Sequence, residues 1–512
     1  MTESIGHSYD VIVYGGTASG VMAAIAAAEE GIKVALLEPG RHVGGMLSGG
    51  LGRTDMDRQQ NVIGGHAREF FARAGKYYHE PISWTFEPRV AEEILNDWIK
   101  ECGIAVFFEH RLDCVTMKGT RITTVTMENG AEFSAEVFID ASYEGDLMAR
   151  AGVSYVVGRE GRDQYGESFA GIKEIQPGEH QIMAPISPYD DDGNLLPYVV
   201  DGTTVGAVGE GDTRVQSYCF RLCLTDVKEN QVSIPRPAGY DPGRYELFRR
   251  YLNAYRSVFK EVRLPLGISR IPNGKTDANS GGGMSTNLPG ASWEYPDANY
   301  ERRQEIWDEH LSYTQGLLYF LGHDPGVPQN IRDEMNRWGL AKDEFADTDH
   351  WPHQLYIREG RRMLGEYMMT QHDLQTRRHK YDSIGMGGYN MDIREVQWVA
   401  KEIYRFVYPT REVYMEGYFT YPVEPYEIPY RSLLPSQEEC QNLLVSVCVS
   451  ASHMAYSSLR MEPQYMIMGQ SAGSAAAMAV RAKSPVHRID IAELQRKLMA
   501  KKQVLSLDEK QK

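Results

Sequence analysis

Four residues near the N-terminus have the types and spacing needed to bind a dinucleotide. Gly15, Thr17 and Gly20 stand at the three positions of a G-x-G-x-x-G turn, and Glu38 follows twenty-three residues after Gly15. Such a turn brings bare backbone N–H groups up to a pyrophosphate at the positive end of a helix, so its side chains must be small. An acid at Glu38 can accept hydrogen bonds from the adenosine ribose hydroxyls and favours a plain ribose over a 2′-phosphate.

The hydrophobic pattern predicts the elements that must position these residues. Residues 9–14 form a short apolar run, residues 18–30 have a helix-forming composition, and residues 33–37 form a second apolar run. This order predicts a βαβ unit. Thr17 carries a Cβ and a hydroxyl where close approach is needed, which weakens the motif, and an ordinary strand–turn–helix is the alternative.

Glycines beyond Glu38 indicate which dinucleotide binds. Gly44-Gly45 is followed by SGGLG at residues 48–52. A flavin must lie extended across the sheet, and backbone rich in glycine lets its ribityl chain and ring pass without steric conflict. A nicotinamide enzyme has no such need, so the sequence predicts FAD rather than NAD.

Composition excludes several classes of function. The 512 residues are 42% hydrophobic and carry a formal net charge of −16, from 54 basic and 70 acidic side chains. A chain of this size can bury a full core and form about two domains. The acidic balance argues against a nucleic-acid surface, which needs basic patches. Three basic pairs, at 361–362, 377–378 and 501–502, are interpreted as solvated helix faces.

The cysteines give no sign of a metal site, and the apolar stretches give no sign of a membrane span. The six cysteines form no CxxC pair and no spacing suited to zinc, so we expect no metal and interpret the thiols as buried or incidental. Cys219 and Cys223 lie in SYCFRLCLTD, which is predicted as a strand. No secretory signal pattern is visible, and polar residues interrupt the apolar stretches near 11–37 and 443–480. We therefore expect a cytoplasmic protein without a membrane-spanning helix.

The rest of the chain predicts one discontinuous domain and one inserted domain. An amphipathic helix is predicted over 84–100 and a strand over 104–108. Two hairpin turns at Lys118-Gly119 and Asn129-Gly130 predict a three-strand meander before a strand at 137–140. Helices are predicted over 241–260, 299–322, 328–346 and 466–482, with an apolar strand over 442–449. We predict an FAD-binding domain at 1–160 and 431–485, a substrate domain at 161–430 and a C-terminal helix or tail at 486–512.

Five segments in fixed order resemble one bacterial family. They are VIVYGGTASGVMAAIAAA, HVGGMLSGGLGRTD, VFIDASYEGDLMARAGVSYVVGRE, HWPHQLYIREGRRMLGEYMMTQHD and NLLVSVCVSASHMAYSSLRMEPQYMIMGQSAGSAAA. Together they resemble the bacterial FAD-dependent oxidoreductase family, from about residue 9 to residue 482. Its members often carry the label xanthan lyase, which the sequence chemistry does not support. The resemblance implies an α/β fold with a glutathione-reductase-like, doubly wound FAD-binding domain that is discontinuous and a mixed α+β substrate domain.

The resemblance also implies where the cofactor lies. The GGTASG match implies pyrophosphate contacts, and GGT looks like the family's own pattern, so Thr17 no longer weakens the motif. The later matches imply contacts to the linker and the ring, and a second strand end by the cofactor. A helix near 460–470 would present its N-terminus to the flavin C2 carbonyl region. The implied cofactor-binding residues are Gly15, Gly16, Thr17, Ala18, Gly20, Glu38, Gly44, Gly45, Met46, Ser48, Gly49, Gly50, Ala141, Gly145, Asp146 and Gln470.

The catalytic candidates come from two stretches. His453 is the histidine nearest a cofactor motif, with Arg460 and Glu462 close behind, and histidine can take a proton near neutral pH. A structural histidine is the alternative. His353 and Arg358 are predicted to form a second cluster, in which an arginine fork suits a carboxylate or polyol substrate, although a salt-bridge network explains the pattern equally well.

These observations predict an oxidoreductase that dehydrogenates a small polar metabolite, such as a sugar or glycoside derivative, by hydride transfer to flavin N5. FAD is expected to be held without a covalent bond, with attachment through His42 as the alternative. No second dinucleotide motif is present, so the electron acceptor and the oligomeric state stay open. A flavin monooxygenase that uses NAD(P)H and a non-catalytic flavin-binding scaffold are the alternative functions.

Overall fold

Strands and helices make up most of the first 150 residues, and longer irregular stretches follow. The computed structural model describes residues 6–176, 178, 180–260, 262–376, 379–404 and 407–507. The strands are β1 (Gly6–Ser8), β2 (Val11–Tyr14), β3 (Val34–Leu37), β4 (Ala105–Phe107), β5 (Leu112–Lys118), β6 (Arg121–Met127), β7 (Glu132–Ser134), β8 (Val137–Asp140), β9 (Tyr155–Val156), β10 (Val199–Asp201), β11 (Leu224–Thr225), β12 (Gln231–Val232), β13 (Leu266–Arg270), β14 (Thr276–Ser280), β15 (Gly339–Ala341), β16 (Arg362–Met363), β17 (Ser383–Gly387), β18 (Met391–Ile393), β19 (Gln397–Ile403), β20 (Thr410–Glu416), β21 (Phe419–Tyr421), β22 (Tyr426–Pro429) and β23 (Leu443–Val445). The α-helices are α1 (Ala18–Glu29), α2 (Gly65–Tyr77), α3 (Pro88–Glu101), α4 (Asp146–Arg150), α5 (Arg162–Tyr165), α6 (Glu246–Phe259), α7 (Tyr300–His323), α8 (Gln329–Met335), α9 (Gln371–Gln375), α10 (His453–Leu459), α11 (Glu462–Ala482) and α12 (Ile491–Ala500).

A five-stranded parallel sheet positions the glycine turn. Its order is β23-β8-β2-β3-β4, with Tyr14 opposite both Leu37 and Asp140, and Val445 opposite Asp140. Strands β2, β3 and β8 are buried along their whole length, as expected of a sheet covered on both faces. The carboxyl ends of β2, β3, β8 and β23 therefore meet at one edge, where open α/β sheets bind their ligands.

Helix α11 packs closely against α1 because glycines face it. A Cβ added to Gly469 would lie 2.1 Å from the Ser19 carbonyl oxygen, and one added to Gly473 would lie 2.1 Å from that of Ala23. The small-residue helix predicted near the C-terminus thus packs on the helix that follows the turn. Together with β23, it returns the end of the chain to the N-terminal sheet.

The predicted meander forms a sheet of its own. Strands β5, β6 and β7 pair antiparallel, and β1 pairs parallel to β7, in the order β1-β7-β6-β5. Gly119 and Gly130 have φ of +59° and +83°, which explains glycine at both hairpin turns. The smaller pairings lie later in the chain: β10-β19-β20, β11-β15-β12, β13-β14, β16-β9, β17-β22 and β18-β21.

Several predicted boundaries differ from the structure. Helix α3 begins only at Pro88, because proline is suited to the first helical turn. The helix predicted over 328–346 ends at Met335, since residues 339–341 pair as β15 between β11 and β12. The strand predicted over 442–449 is limited to β23. In the predicted strand SYCFRLCLTD only Leu224–Thr225 is a strand; Cys219 and Leu222 make isolated bridges to different partners.

The interpretation of the basic pairs as solvated helix faces is wrong at 361–362. Arg361 and Arg362 are buried outside any helix, because Asp146 pairs with Arg361 at 2.8 Å and Glu160 with Arg362 at 2.5 Å. Residues 377–378 lie outside the described residues. Residues 501–502 are exposed and directly follow α12.

Of the six free cysteines, Cys219, Cys223, Cys440 and Cys448 are buried, and Cys114 is exposed.

The described part of the chain contains no helix that is both long enough and apolar enough to cross a membrane.

Candidate functional site

The turn between β2 and α1 has no room for larger side chains. Gly15 has φ +96°, and a Cβ added to Gly20 would lie 1.9 Å from the Gly15 carbonyl oxygen. Thr17 is the N-cap of α1: its hydroxyl accepts from the Gly20 N–H at 3.2 Å and donates to the Ala141 carbonyl at 2.7 Å. Thr17 therefore joins the turn to the end of β8. The departure from glycine stabilises the turn here.

Glu38 is bound by the turn itself. Its carboxylate accepts from the backbone N–H groups of Gly16 and Gly40, each at 2.6 Å. Burial raises the pKa of Glu38 to about 7, although these two donors act in the opposite direction. A Cβ on Gly16 would lie 2.9 Å from one carboxylate oxygen, so the turn needs glycine at position 16 as well.

The glycine-rich segment that begins at Gly44 lies directly against the turn between β2 and α1. The Gly44 N–H donates to the Gly16 carbonyl at 2.6 Å, and the Met46 N–H donates to the Tyr143 hydroxyl at 2.9 Å. Ser48 closes the loop by donating its hydroxyl to the Val43 carbonyl at 2.6 Å. We name residues 44–52 the glycine loop.

The glycine loop packs directly on residues that are distant in sequence. A Cβ on Gly49 would lie 2.3 Å from the Gln354 Cβ, and one on Gly50 would lie 2.1 Å from the Arg221 carbonyl oxygen. The absence of side chains at Gly49 and Gly50 thus allows residues 221 and 354 to approach this loop.

A cavity of about 220 Å³ opens beside the turn. Among its lining residues are Gly15, Thr17, Glu38, Ser142, Asp146 and His353. An adenine dinucleotide fits this arrangement, because the backbone cradle would be filled by any Cβ, the N-terminus of α1 faces it, and a buried carboxylate stands at the next strand end.

Ala141, Gly145 and Asp146 lie at the end of β8, as predicted, but Asp146 has other partners. Gly145, with φ +69°, is the N-cap of α4. Arg303 and Arg361 hold the Asp146 carboxylate at 2.7 and 2.8 Å. Asp146 therefore lines the cavity as a carboxylate whose charge is already balanced.

His42 and His353 stack on each other at the rim of the turn. Their ring centroids are 3.9 Å apart. Both nitrogens of His42 contact carboxylates, Glu92 at 3.0 Å and Asp347 at 3.1 Å, and the Glu92 hydrogen bond is the main reason that the pKa of His42 is raised. Burial instead lowers the pKa of His353 to about 3, and neither of its ring nitrogens has a hydrogen-bond partner within the described chain.

The predicted cluster of His353 with Arg358 is divided between two places. His353 lines the cavity, whereas Arg358 donates to the Ser217 carbonyl at 2.5 Å and to the Cys219 Sγ at 3.1 Å. Neighbours in sequence thus contact different parts of the molecule.

His453, the first residue of α10, is paired with a carboxylate. Its Nδ1 lies 2.8 and 2.9 Å from the two oxygens of Glu359, and both side chains are buried. Burial would raise the pKa of Glu359, but the charges of His453 and Arg362 outweigh it and hold that pKa below its usual value. An ionised carboxylate only accepts, so Nδ1 carries the donated proton. Among the described residues Nε2 has no hydrogen-bond partner.

Arg460 lies one residue beyond α10, at the end opposite His453. Its guanidinium donates to the Tyr356 hydroxyl at 3.0 Å and to an Asp392 carboxylate oxygen at 3.0 Å. Helix α10 therefore runs beside residues 356–359, with His453 at Glu359 and Arg460 at Tyr356. At 1.5 Å of rise per residue, about 10 Å separate the two ends.

Glu462 begins α11 and is joined to the glycine loop. Its Oε1 accepts from the Tyr143 hydroxyl at 2.7 Å, and the same hydroxyl accepts from Met46 N–H. Burial raises the pKa of Glu462 to about 8, although the Tyr143 hydrogen bond acts against it. The carboxyl is thus protonated at neutral pH in the folded chain.

Glu462 gives stability a measurable pH dependence. Its pKa is about 8 when folded and 4.5 in the reference state, so unfolding releases its proton between these values. The stabilisation is complete below pH about 4.5 and is lost as the pH rises to about 8, by at most about 1.4 kcal/mol per pH unit. We expect Glu462→Gln, which keeps an acceptor for Tyr143, to show a smaller fall in Tm between pH 5 and 8.5.

The control for this measurement is Glu438→Gln at an exposed position. It should follow the wild-type Tm curve across the same pH range. Equal slopes for Glu462→Gln and wild type would contradict the assignment.

Gln470 binds the start of α2 through its side-chain oxygen, and its predicted contact with the cofactor stays a prediction. Its Oε1 accepts from the His66 N–H at 2.7 Å, at the start of α2. The N-terminus of α11, which is predicted to face the flavin ring, lies at Glu462. Gln470 is eight residues further along the helix, about 12 Å from that end.

Sequence reasoning missed the partners that define this site. Tyr143, Tyr356, Asp392 and Glu359 carry no local signal in the sequence. Glu359 and His453 are 94 positions apart. Tyr143, Tyr356 and Glu359 lie within two of the five segments that carry the resemblance, which is the sequence signal that could have found them, whereas Asp392 lies outside all five.

The match to a family model agrees with the dinucleotide geometry. A family model described as FAD dependent oxidoreductase matches residues 10–498. A search among curated proteins finds no match.

Solved structures match parts of the chain. They include the OxyS anhydrotetracycline hydroxylase from Streptomyces rimosus, with 17% identity over 33% of this chain and 40% of that chain and a TM-score of 0.23. THI4 from Thermovibrio ammonificans has 20% identity over 30% of this chain and 67% of that chain, with a TM-score of 0.24. A flavoprotein/dehydrogenase from Cytophaga hutchinsonii has 20% identity over 30% of this chain and 44% of that chain, with a TM-score of 0.23. The chain thus matches less than half the length of the hydroxylase and of the dehydrogenase.

Proposed function

We propose that this chain, which belongs to the FAD dependent oxidoreductase family, dehydrogenates a small polar metabolite such as a sugar or glycoside derivative. The chain is an enzyme, and FAD is its cofactor. When bound, FAD supplies a two-electron acceptor that takes a hydride at N5. What the chain's own residues contribute is binding, orientation and proton transfer.

We propose a glutathione-reductase-like placement of the cofactor. The turn from Gly15 to Gly20 holds the pyrophosphate with backbone N–H groups, and Glu38 accepts from the ribose. The glycine loop lies along the linker and the ring. The junction of β23, α10 and α11 closes the site from the C-terminal side, which supports an FAD-binding domain formed by residues 1–160 and 431–485 around a substrate domain at 161–430.

One observation carries the catalytic proposal: the buried His453 is oriented by a carboxylate, and its Nε2 has no hydrogen-bond partner among the described residues. Glu359 accepts from Nδ1 of His453, so whenever the ring is neutral its lone pair is on Nε2. A buried acceptor without a partner costs free energy unless a ligand group binds it. We therefore assign His453 Nε2 as the base that takes the hydroxyl or amine proton of the substrate, and Glu359 as its positioning residue.

Arg460 and Glu462 contribute at the other end of α10. Arg460 is fixed by Tyr356 and Asp392, which holds a positive charge at the start of α11. The protonated carboxyl of Glu462 is a hydrogen-bond donor whose Oε2 has no partner within the described chain. We propose that these two groups face the ring end of the site, where a cation and a helix N-terminus favour negative charge.

The experiment is an anaerobic screen of the purified holoenzyme. Sugars, polyols, amines and hydroxy acids are added separately, and loss of the visible flavin absorbance is recorded. Bleaching by a polar metabolite without nicotinamide supports dehydrogenation. Bleaching only by NADH or NADPH would favour a monooxygenase, and no bleaching by any donor would favour a flavin-binding scaffold and overturn the proposal.

A further inference from the structure

We propose that the substrate carries a carboxylate and that Arg358 binds it beside the ring of Tyr356. This inference rests on the proposed function, because it assigns a substrate class to the same site. It narrows the small polar metabolite to an acid, such as a sugar acid or another hydroxy acid.

The first observation is a buried charge without a counter-ion. Arg358 is 1% exposed, and its guanidinium hydrogen bonds go to the Ser217 carbonyl and the Cys219 thiol. Its guanidinium carbon lies 4.6 Å from the centre of the Tyr356 ring. Throughout the described residues, no ion pair joins Arg358 to a carboxylate. A buried cation is costly unless an anion pairs with it, so this position favours an anionic ligand.

Two neighbouring arginines differ from Arg358 in this respect. Arg221 forms a two-pronged ion pair with Asp277, at 2.7 and 2.5 Å. Arg460 shares the Asp392 carboxylate with Arg394, at 3.0 and 3.4 Å. Arg221 is therefore fully paired and Arg460 is partly paired, whereas Arg358 has no carboxylate partner among the described residues.

The groups around Arg358 can donate hydrogen bonds. The Ser217 hydroxyl and the Nε of Arg460 are both buried and have no hydrogen-bond partner among the residues described. Ser217 is the residue whose carbonyl binds Arg358, and Arg460 is bonded to Tyr356. A planar guanidinium, with two unpartnered donors on residues that contact Arg358 or Tyr356, matches a carboxylate, which offers two oxygens and only accepts.

Arg358 also lies between the glycine loop and the proposed base. Cys219 pairs with Tyr356 in an isolated antiparallel bridge, and the same two segments approach the glycine loop through Arg221 and Gln354. On the other side, Glu359 follows Arg358 directly and binds His453. A carboxylate at Arg358 would therefore anchor a substrate next to the base and to the loop proposed for the ring.

The test measures binding and reduction separately in the holoenzyme. The probes are glucuronate, gluconate and lactate, with glucose and glycerol as neutral controls and glucose 6-phosphate as a non-carboxylate anion. Binding is read from the change in the visible flavin spectrum during titration, and reduction from anaerobic bleaching. We expect wild type to bind at least one carboxylate more than about tenfold more tightly than every neutral control and the phosphate.

The matching variants are Arg358→Gln and Arg358→Lys, with exposed Arg496→Gln as control. We expect Arg358→Gln to weaken carboxylate binding by at least about 30-fold and Arg358→Lys to weaken it less, because removing one partner of a buried charge pair has effects of this size. Binding of neutral compounds and the FAD content should not change. If Arg358→Gln does not fold, the carboxylate assignment is tested by the selectivity of wild type and by the carboxylate affinity of Arg358→Lys.

The outcomes separate this inference from the proposed function. Equal binding of neutral sugars and acids by wild type, preference for the phosphate, or unchanged carboxylate binding in Arg358→Gln would overturn the carboxylate assignment. If neutral sugars still bleach the flavin in any of these outcomes, the proposed dehydrogenase function remains supported. Carboxylate binding without bleaching by any donor would instead support Arg358 and overturn the proposed function.

Discussion

Replacing His453 with glutamine is expected to lower the rate of substrate-driven flavin reduction by about 10²- to 10⁴-fold, which is the usual contribution of a positioned general base. The reason is that Glu359 orients the ring, and within the described part of the chain Nε2 has no hydrogen-bond partner. The measurement is anaerobic stopped-flow reduction of the holoenzyme with the best donor found in the screen. FAD content and visible spectrum serve as checks that the cofactor is bound.

Glu359→Gln tests the His453–Glu359 pair by changing the residue that positions the histidine. The new amide can donate to Nδ1, which would place the ring proton on Nε2 and remove the acceptor. We expect a loss of rate similar to that of His453→Gln, and little further loss in the double variant, because the two residues act as one unit.

The matched control is His323→Asn, at an exposed position at the end of α7. It should reduce at the wild-type rate. Wild-type reduction rates in His453→Gln with full FAD content would show that the base lies elsewhere and that His453 is a structural histidine.

Replacing Gly20 with valine is expected to abolish FAD binding, with a loss of at least about 100-fold in affinity. A Cβ at this position would overlap the Gly15 carbonyl oxygen, which lies 1.9 Å away, and the backbone N–H groups that face the pyrophosphate would have to move. The measurement is FAD content after purification, followed by titration of the apoprotein with FAD and detection by flavin fluorescence.

Glu38→Gln gives a milder test that does not depend on backbone strain. One carboxylate oxygen is replaced by an amide NH₂, which cannot accept from the N–H of Gly16 or Gly40 or from the ribose. We expect about a tenfold weaker affinity for FAD, on the order of one hydrogen bond. Gly6→Ala is the control, because no atom lies within 4 Å of the added Cβ. Full FAD content in Gly20→Val would contradict the assignment of the turn.

The βαβ unit could be predicted because its signals are local. An apolar run, small residues at fixed spacing, an alanine-rich helix and an acid after the second strand all lie within thirty residues, and the structure has β2, α1 and β3 where these signals indicate them. The hairpin turns were likewise predictable, since glycine with positive φ is required at both.

The errors occurred where distant pairing decides the local structure. Residues 339–341 have a sequence that continues a helical pattern, but they pair with β11 and β12, and tertiary pairing outweighs propensity over so few residues. Arg361 and Arg362 look solvated as a basic pair, yet Asp146 and Glu160 make their burial possible. A sequence pattern gives no sign of such partners.

The sequence by itself determined the nucleotide fold and the cofactor, because backbone N–H groups, a helix N-terminus and a strand-end acid must follow one another along the chain. Only the tertiary structure decided which polar residues act together. It paired His453 with Glu359, joined Glu462 to Met46 through Tyr143, separated His353 from Arg358 and left Arg358 without a carboxylate partner among the described residues. The physical reason is that charge compensation and hydrogen bonding in a buried site depend on distances across the fold, and spacing along the chain does not fix those distances.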